Sequence, residues 1–457
     1  MSQTVDVVVI GLGPGGEDLA GRLAEAGLEV VAVERELVGG ECPYWGCVPS
    51  KMMIRAADLL AEARRIPGIA GASSVEPDYG PVAARIREEA TDTWDDTVAV
   101  DRLVGKGARF ARGTGRISGP REVTVGDEVF AARRGVVVST GTSPSIPPID
   151  GLAGTPFWTN RHAIEAKEPP ASILVLGGGA IGAELAQVFA RFGSRVTVVD
   201  TADRLVPMEE PEAGALLAEV FDREGIGVRT GAQVSRVGHD GSRFTVAVDG
   251  DDLEVDQLLV ATGRRANLAD IGLDAVGLDP TARWLEVDDH LRAGEGLWAV
   301  GDITGKGAFT HVAMYQSAIA ARSLLGEDGP AADYRALPRV TFTDPEIGAV
   351  GMTESQARAA GIPVRTGTAQ VPSSARGWIH KAGNDGFVKL VEDTARGVLV
   401  GATSAGPTGG EVLGALVVAV HAQVPTQSLA QMIYAYPTFH RTIEDALRDL
   451  HSHPGDG

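Results

Sequence analysis

Cys42 and Cys47 lie inside the stretch GGECPYWGCVPSK (residues 39–51), and the chain has no other cysteine. Two thiols with four residues between them can form and break one internal disulfide. An apolar helical run follows from Met52. A helix that begins here turns its positive end toward the sulfurs, which favours thiolate over thiol and makes the pair reactive. Ideal helical spacing puts the two sulfurs on different faces, so a bond between them asks for a distorted first turn. Pro43, Gly46 and Pro49 supply the means for one. Plainer roles compete: two inert buried thiols, a structural disulfide, or part of a zinc site. Structural disulfides are rare in a reducing cytosol. Zinc wants four ligands, and no histidine is near in sequence.

A second kind of chemistry sits at strand ends. Val5–Ile10 is a continuous β-branched run, as expected of a buried parallel strand. Gly11, Gly13 and Gly16 follow on G-x-G-x-x-G spacing, then a helical run over Asp18–Ala26, then a strand over Glu29–Val33 that ends at Glu34. Such glycines let backbone N–H groups approach a pyrophosphate at a helix N-terminus, and the acid accepts from a ribose hydroxyl pair. The pattern restarts at Ile173. A strand leads to Gly177, Gly179 and Gly182, then the helical run ELAQVFARFG, then RVTVV ending at Asp200. Two complete units imply two dinucleotides. Asp200 accepts from a free ribose 2′-OH and repels a 2′-phosphate, which favours NADH, while Arg204 close by keeps NADPH open.

The elements that position these groups read as α/β. Alanine-rich helices fill residues 55–103 apart from a turn-rich stretch at 67–79, and short strands fill 108–134. Val136–Gly141 reads as another apolar strand, and a proline linker follows it, with Asp150–Gly151 as a boundary. LLVATGRRAN closes the second unit. GLWAVGD ends at Asp302, a carboxylate placed to hold a polyol or ribityl chain, or else a simple turn aspartate. A helix beginning near Val312 can stabilise negative charge on a bound ring system. His311 belongs to that site or is merely a cap-region histidine. After Pro338 the glycine fingerprints stop, and strands and amphipathic helices follow, with Leu416–Val420 and Leu429–Ile433 as core helix faces. The tail, residues 451–457, is expected to be disordered.

The chain has 457 residues and a formal net charge of −20, which disfavours nucleic acid and anionic membrane surfaces as partners. No apolar run reaches the length of a membrane span. Without a signal-like N-terminus, a cytoplasmic location is expected. There a lone cysteine pair is more often catalytic than structural.

In their order along the chain, GLGPGG, GGECPYWGCVPSK, STGTSPSIP, GGGAIGAE, ATGRRAN, AVGD and FTDPEIGAVG resemble the motifs of the pyridine nucleotide–disulfide oxidoreductases. That family includes dihydrolipoamide dehydrogenase, glutathione reductase and mercuric reductase. The resemblance runs from Val5 to about Leu450. It implies two Rossmann-like dinucleotide-binding domains and a C-terminal α+β dimerisation domain. The implied FAD-binding domain takes residues 1–150 and 271–337, the NAD(P)-binding domain 151–270 and the dimerisation domain 338–450. The first unit with Glu34 would bind the adenosine half of FAD, and Asp302 its ribityl chain. The second would bind the nicotinamide dinucleotide, with Ile181 near its pocket. Gly40, Thr140, Gly141, Gly263 and Gly301, in the matching motifs, are expected to line the cofactor sites. Cys47 would face the flavin and Cys42 the acceptor, and Lys51 would pair with Glu184 beside the flavin. A homodimer is implied, with each active site drawing on both subunits.

The chain departs from that pattern near its end. Thiol-handling members carry His-Pro-Thr, with a glutamate five residues after the histidine. Here the stretch is Tyr436-Pro437-Thr438, and Arg441 holds the glutamate position. The missing pair is the general base for substrate sulfur and its orienting partner. A phenol titrates near pKa ~10 and is a poor base at neutral pH, and His440 lies about one turn on as a substitute. Mercuric reductase also has a tyrosine near this point, but adds a C-terminal cysteine pair that this chain lacks. The expected activity is an FAD-dependent NAD(P)H oxidoreductase with a redox-active Cys42–Cys47 disulfide. Its small-molecule acceptor is expected to be quinone-like. Dihydrolipoamide dehydrogenase or another low-molecular-weight disulfide reductase is the alternative, and a flavin-bound redox sensor or complex subunit is one of another class. No metal is expected.

Overall fold

The computed structural model describes residues 2–452. The chain divides into two compact units. The first runs through Ser50 and adds Ala84–Ser145 and Arg264–Asp333. The second takes Lys51–Ala83, Ile146–Gly263 and the chain from Tyr334 on.

In the first unit, Ser2–Ile10 pairs in parallel with Val30–Glu34 on one side and Glu128–Val138 on the other. Arg109–Arg112 and Leu297–Ala299 extend the sheet outward, also in parallel. Ile10 lies opposite both Val33 and Val138, so three strands stop level with one another. Buried valines on both faces of Ser2–Ile10 show a strand covered on each side, which is why it reads as an unbroken apolar run. Pro14–Glu25 and Thr310–Leu325 pack on one face.

In the second unit, Ser172–Leu176, Arg195–Val199, Gly227–Arg229 and Gln257–Val260 form a parallel sheet. Leu176 lies opposite both Val199 and Val260, the same level ending as in the first unit. A separate antiparallel sheet joins Val234–His239, Phe244–Val248 and Asp251–Val255. The C-terminal part is an antiparallel sheet in the order Pro338–Thr341, Glu346–Gly351, Val398–Gly406, Phe387–Asp393, Val364–Gln370. The helices Gly409–His421 and Thr442–Ser452 bury Leu416, Val420, Leu447 and Leu450 against it.

Three local expectations need correction. The strand expected at Val136–Gly141 is the end of the long strand Glu128–Val138, and Ser139–Gly141 lie beyond it because the chain turns at Gly141, φ +63°. Leu429 is buried, but its helix stops at Ala430 and Ile433 is 99% exposed, so Leu429–Ile433 is not one core face. His451 and Ser452 close the terminal helix rather than opening a disordered tail, and residues 453–457 lie outside those described. Among the described residues no helix is long and apolar enough to cross a membrane, and no cluster of three or more His, Cys, Asp or Glu could hold a metal ion.

Candidate active site

The cysteine stretch does not form one distorted helix. Cys42 sits in the four-residue helix Glu41–Tyr44, Trp45 and Gly46 break the chain, and Cys47 opens the helix Cys47–Arg65. The break brings the two side chains within hydrogen-bonding reach, which one regular helix would not do. Cys47 Sγ also lies 3.4 Å from Thr310 Oγ1, the first residue of the helix Thr310–Leu325. Its sulfur therefore stands at the start of one helix and beside the start of another, where negative charge is stabilised. The expected helix field favours thiolate at both cysteines, but the Cys42 thiol is shifted the other way. The hydrogen bond that its thiol shares as donor with the Cys47 sulfur, and burial, push Cys42 far up, against a smaller downward pull from Thr310. Two adjacent sulfurs cannot both carry charge easily, so in a reduced pair Cys42 is the one that keeps its proton.

Around the first fingerprint, the Leu12 amide donates to Glu34 Oε2 at 2.7 Å and the Glu36 amide to Oε1 at 2.8 Å. Gly11 has φ +89°, and an added Cβ would stand 2.4 Å from the Ser139 carbonyl oxygen. A Cβ on Gly16 would stand 2.0 Å from the Gly11 carbonyl oxygen, whereas one on Gly13 would meet nothing within 4 Å. Gly11 and Gly16 thus close the turn tightly, and the space in front of Gly13 is open at the start of Pro14–Glu25. Gly40 lies against Gly13, with an added Cβ 2.8 Å from its Cα.

Asp302 accepts from Thr142 Oγ1 at 2.7 Å, and that hydroxyl accepts from Arg264 Nε at 2.7 Å. Burial lifts the Asp302 carboxyl above its ordinary value, against the downward pull of Thr142 and Arg264. Gly301 donates to Gln316 Oε1 at 2.7 Å inside the core. Thr140 donates its hydroxyl to the Asn267 carbonyl at 2.8 Å and accepts at its own carbonyl from Asn267 Nδ2 at 2.9 Å. Thr140 and Gly141 are therefore a braced loop. His311 is exposed, stacked on Phe309 with ring centres 5.1 Å apart. Thr310 reaches the Cys47 sulfur. An open anion site at a helix start, an acid at a strand end and a desolvated carboxyl fit FAD, which Gly13, Glu34 and Asp302 would hold.

In the second unit, Gly178 N–H donates to Asp200 Oδ2 at 2.6 Å and Ala202 N–H to Oδ1 at 2.8 Å. Cβ atoms on Gly177 and Gly182 would stand 2.4 Å from the Ala261 carbonyl oxygen and 1.8 Å from the Gly177 carbonyl oxygen, while Gly179 and Gly263 face open space. Ile181 is exposed and is the second residue of the helix Ala180–Arg191. These groups fit a second dinucleotide. On the same helix, Glu184 accepts from Lys51 Nζ at 2.8 Å and from the Phe342 amide at 2.8 Å, and the Phe342 ring lies 4.6 Å under the ammonium. The expected Lys51–Glu184 pair is present.

Tyr436 is 70% exposed with the Arg441 guanidinium 5.4 Å over its ring, and Arg441 pairs with Glu444 at 3.1 Å. His440 Nε2 lies 3.5 Å from Thr438 Oγ1. The partners of the two side chains come from the same stretch, and neither is a carboxylate that would orient a base. Sequence reasoning did not single out Thr142, Arg264, Asn267 or Thr310. Arg264 and Asn267 carried a signal, being polar residues just past a strand-end glycine.

A profile described as "Pyridine nucleotide-disulphide oxidoreductase" matches residues 5–317, and one for the family's dimerisation domain matches residues 337–447. A mercuric reductase from Shewanella putrefaciens is 33% identical over 451 residues, covering 96% of this chain and 79% of the relative. A dihydrolipoyl dehydrogenase from Thermus scotoductus is 32% identical over 468 residues, covering 98% of each. A solved Cu(II) complex of the HOCl-induced flavoprotein disulfide reductase RclA from Escherichia coli superposes with a TM-score of 0.85 at 26% identity, covering 99% of this chain and 100% of that one. The chain belongs to the pyridine nucleotide–disulphide oxidoreductase family and is an oxidoreductase with that family's C-terminal dimerisation domain.

Proposed function

We propose that this flavoprotein oxidises NADH and passes the electrons to a small acceptor that is not a standard dithiol or disulfide, a quinone-like molecule above all. The observation that carries the choice of acceptor is Arg441 over the Tyr436 ring. A phenol stands where sulfur chemistry needs an imidazole, and a guanidinium where it needs the orienting carboxylate, so this stretch supplies no base of that kind for a dithiol. Quinones need none.

FAD, when bound, supplies the two-electron relay between nicotinamide and sulfur. The chain's own groups do the rest. The open turn at Gly13 receives a pyrophosphate, Glu34 a ribose, and Asp302 a ribityl hydroxyl. Cys47 holds the negative charge of the reduced pair and Cys42 its proton. Glu184 keeps the Lys51 ammonium charged and oriented. Asp200, fixed by two amides, offers a carboxylate to a free 2′-OH. Arg204 is turned toward Asp203 and the Pro207 carbonyl, each at 3.1 Å, which supports NADH over NADPH. The dimerisation domain supports a homodimer.

Steady-state NADH oxidation with quinones, lipoamide and glutathione-type disulfides tests the acceptor. Cys42→Ser is expected to abolish disulfide reduction and leave quinone reduction within about twofold of wild type. Equal loss of both contradicts the direct route, and wild-type turnover with lipoamide that outpaces every quinone favours the dehydrogenase instead.

A further inference from the structure

Two loops of this chain do the same task with different backbones. In the first unit, the chain leaves Glu34 and returns so that Gly39 N–H donates to the Leu12 carbonyl at 2.7 Å. In the second, it leaves Asp200 and returns so that Val206 N–H donates to the Gly178 carbonyl at 2.9 Å. Leu12 and Gly178 are the residues whose amides hold the two ribose acids. Gly39 sits at φ +108°, which a glycine adopts freely. Val206 sits at φ +41°, where a β-branched residue is strained. Such strain persists only where the surroundings over-determine it.

The surroundings are two consecutive buried acids. Glu209 takes a two-pronged bond from Arg339, Nε and Nη2 each at 2.9 Å. Glu210 accepts from Lys389 Nζ at 3.1 Å and from the Glu354 amide at 2.7 Å. Lys389 is further held by Glu212 at 2.7 Å and Glu354 at 3.0 Å. Glu209, Glu210 and Lys389 are each less than 9% exposed. Buried ion pairs are poor sources of stability compared with apolar packing, so their presence here asks for another reason.

We propose that Arg339 and Lys389, in the dimerisation domain, are positioning residues for the nicotinamide dinucleotide. By gripping Glu209 and Glu210 they hold Val206 in its strained turn and its N–H on the Gly178 carbonyl. Gly178 in turn fixes the Asp200 carboxylate that meets the ribose. This rests on the second fingerprint being the nicotinamide site. The grip on the loop controls how tightly NADH binds and how well NADPH is refused, and leaves the sulfur chemistry alone.

The test is calorimetric titration of the FAD-loaded protein with NAD+ and NADP+, together with steady-state kinetics. Arg339→Gln is expected to weaken NAD+ binding and raise KM for NADH by about tenfold, with kcat and the flavin spectrum near wild type. The preference for NADH over NADPH is expected to fall. Glu209→Gln reproduces the loss from the other side, so the outcome does not hang on one variant folding. Val206→Gly added to Arg339→Gln recovers most of the lost affinity, because glycine takes the turn without strain. An ion pair that only stabilised the fold would show no such recovery. The proposal is overturned if Arg339→Gln and Glu209→Gln bind NAD+ as wild type does, or if Val206→Gly restores nothing. A wild-type protein that binds neither nucleotide overturns the nicotinamide reading itself, and this inference with it.

Discussion

The two fingerprint regions, residues 11–34 and 177–200, are nearly the same object built twice. Each opens on a glycine with positive φ, Gly11 at +89° and Gly177 at +109°. Each such glycine donates to the end of the neighbouring strand, at Val33 (2.9 Å) or Val199 (2.8 Å). Each has a helix of 12 residues and a terminal acid that takes two backbone amides. In each, a Thr-Gly pair starts two residues beyond the end of the strand on the other side of the first, Thr140–Gly141 after Val138 and Thr262–Gly263 after Val260. They part company in what comes next. The first is followed by a glycine loop, a thiol pair and, far along the chain, Asp302. The second is followed by a strained valine and two buried acids held by distant cations. The fingerprint says that a dinucleotide binds, and the segment after the acid says what is done with it.

Breaking each copy in turn gives the largest expected effects. Gly16→Ala puts a Cβ 2.0 Å from the Gly11 carbonyl oxygen, and Gly182→Ala one 1.8 Å from the Gly177 carbonyl oxygen. Gly16→Ala is expected to purify colourless. Gly182→Ala is expected to purify yellow and to lose NADH affinity by about a hundredfold or more. Absorbance and nucleotide titration read both, and the reverse pattern would swap the two assignments. A smaller effect sharpens the contrast between the terminal acids. On the proposed assignment of Asp200 to the nicotinamide dinucleotide's ribose, Asp200→Asn is expected to raise the kcat/KM ratio of NADPH to NADH by about tenfold, since a carboxylate there would repel a 2′-phosphate. An unchanged ratio would mean that Asp200 does not face the ribose.

The smallest effect concerns the helix of the second fingerprint, Ala180–Arg191. Arg191, 4% exposed, bonds Asp58 at 2.6 Å, Glu224 at 2.6 Å and Asp344 at 2.7 Å. Burial raises the Asp58 carboxyl to about 6, against the pull of Arg191. A folded-state value above the unfolded one means that the native protein binds this proton more tightly. Stability from this group is then full below about pH 4 and is lost as pH climbs to about 6. Asn does not titrate, so Asp58→Asn is expected to gain a few degrees in Tm relative to wild type between about pH 4 and 7. A constant difference across that range contradicts the buried-acid account.

The strands and glycine turns were legible because parallel strands buried on both faces show as apolar runs, and Val5–Ile10 and Ser172–Leu176 are such strands. Glu34 and Asp200 were legible because a strand end fixes where an acid points, whereas the strand expected to end at Asp302 stops at Ala299 and Asp302 opens a short 3-10 turn. The arrangement of the cysteines was not, since nothing in GGECPYWGCVPSK says that two helices meet at Gly46 instead of one bending. Ile433 looked like core because local periodicity does not tell where a short helix stops. Thr310 beside Cys47, and Arg339 on Glu209, join residues more than a hundred positions apart. Such contacts follow from the assembled unit and from no local pattern.

The central claim is that the first fingerprint and the Cys42–Cys47 pair make one flavin–thiol centre. Anaerobic addition of NADH to the purified protein, followed by absorbance, tests it most directly. The expected result is a yellow protein that loses its main visible absorbance and gains a broad long-wavelength band from the Cys47 thiolate against the flavin. That band is present in Cys42→Ser and missing in Cys47→Ser. A colourless protein, or a band that survives in Cys47→Ser, would contradict the account.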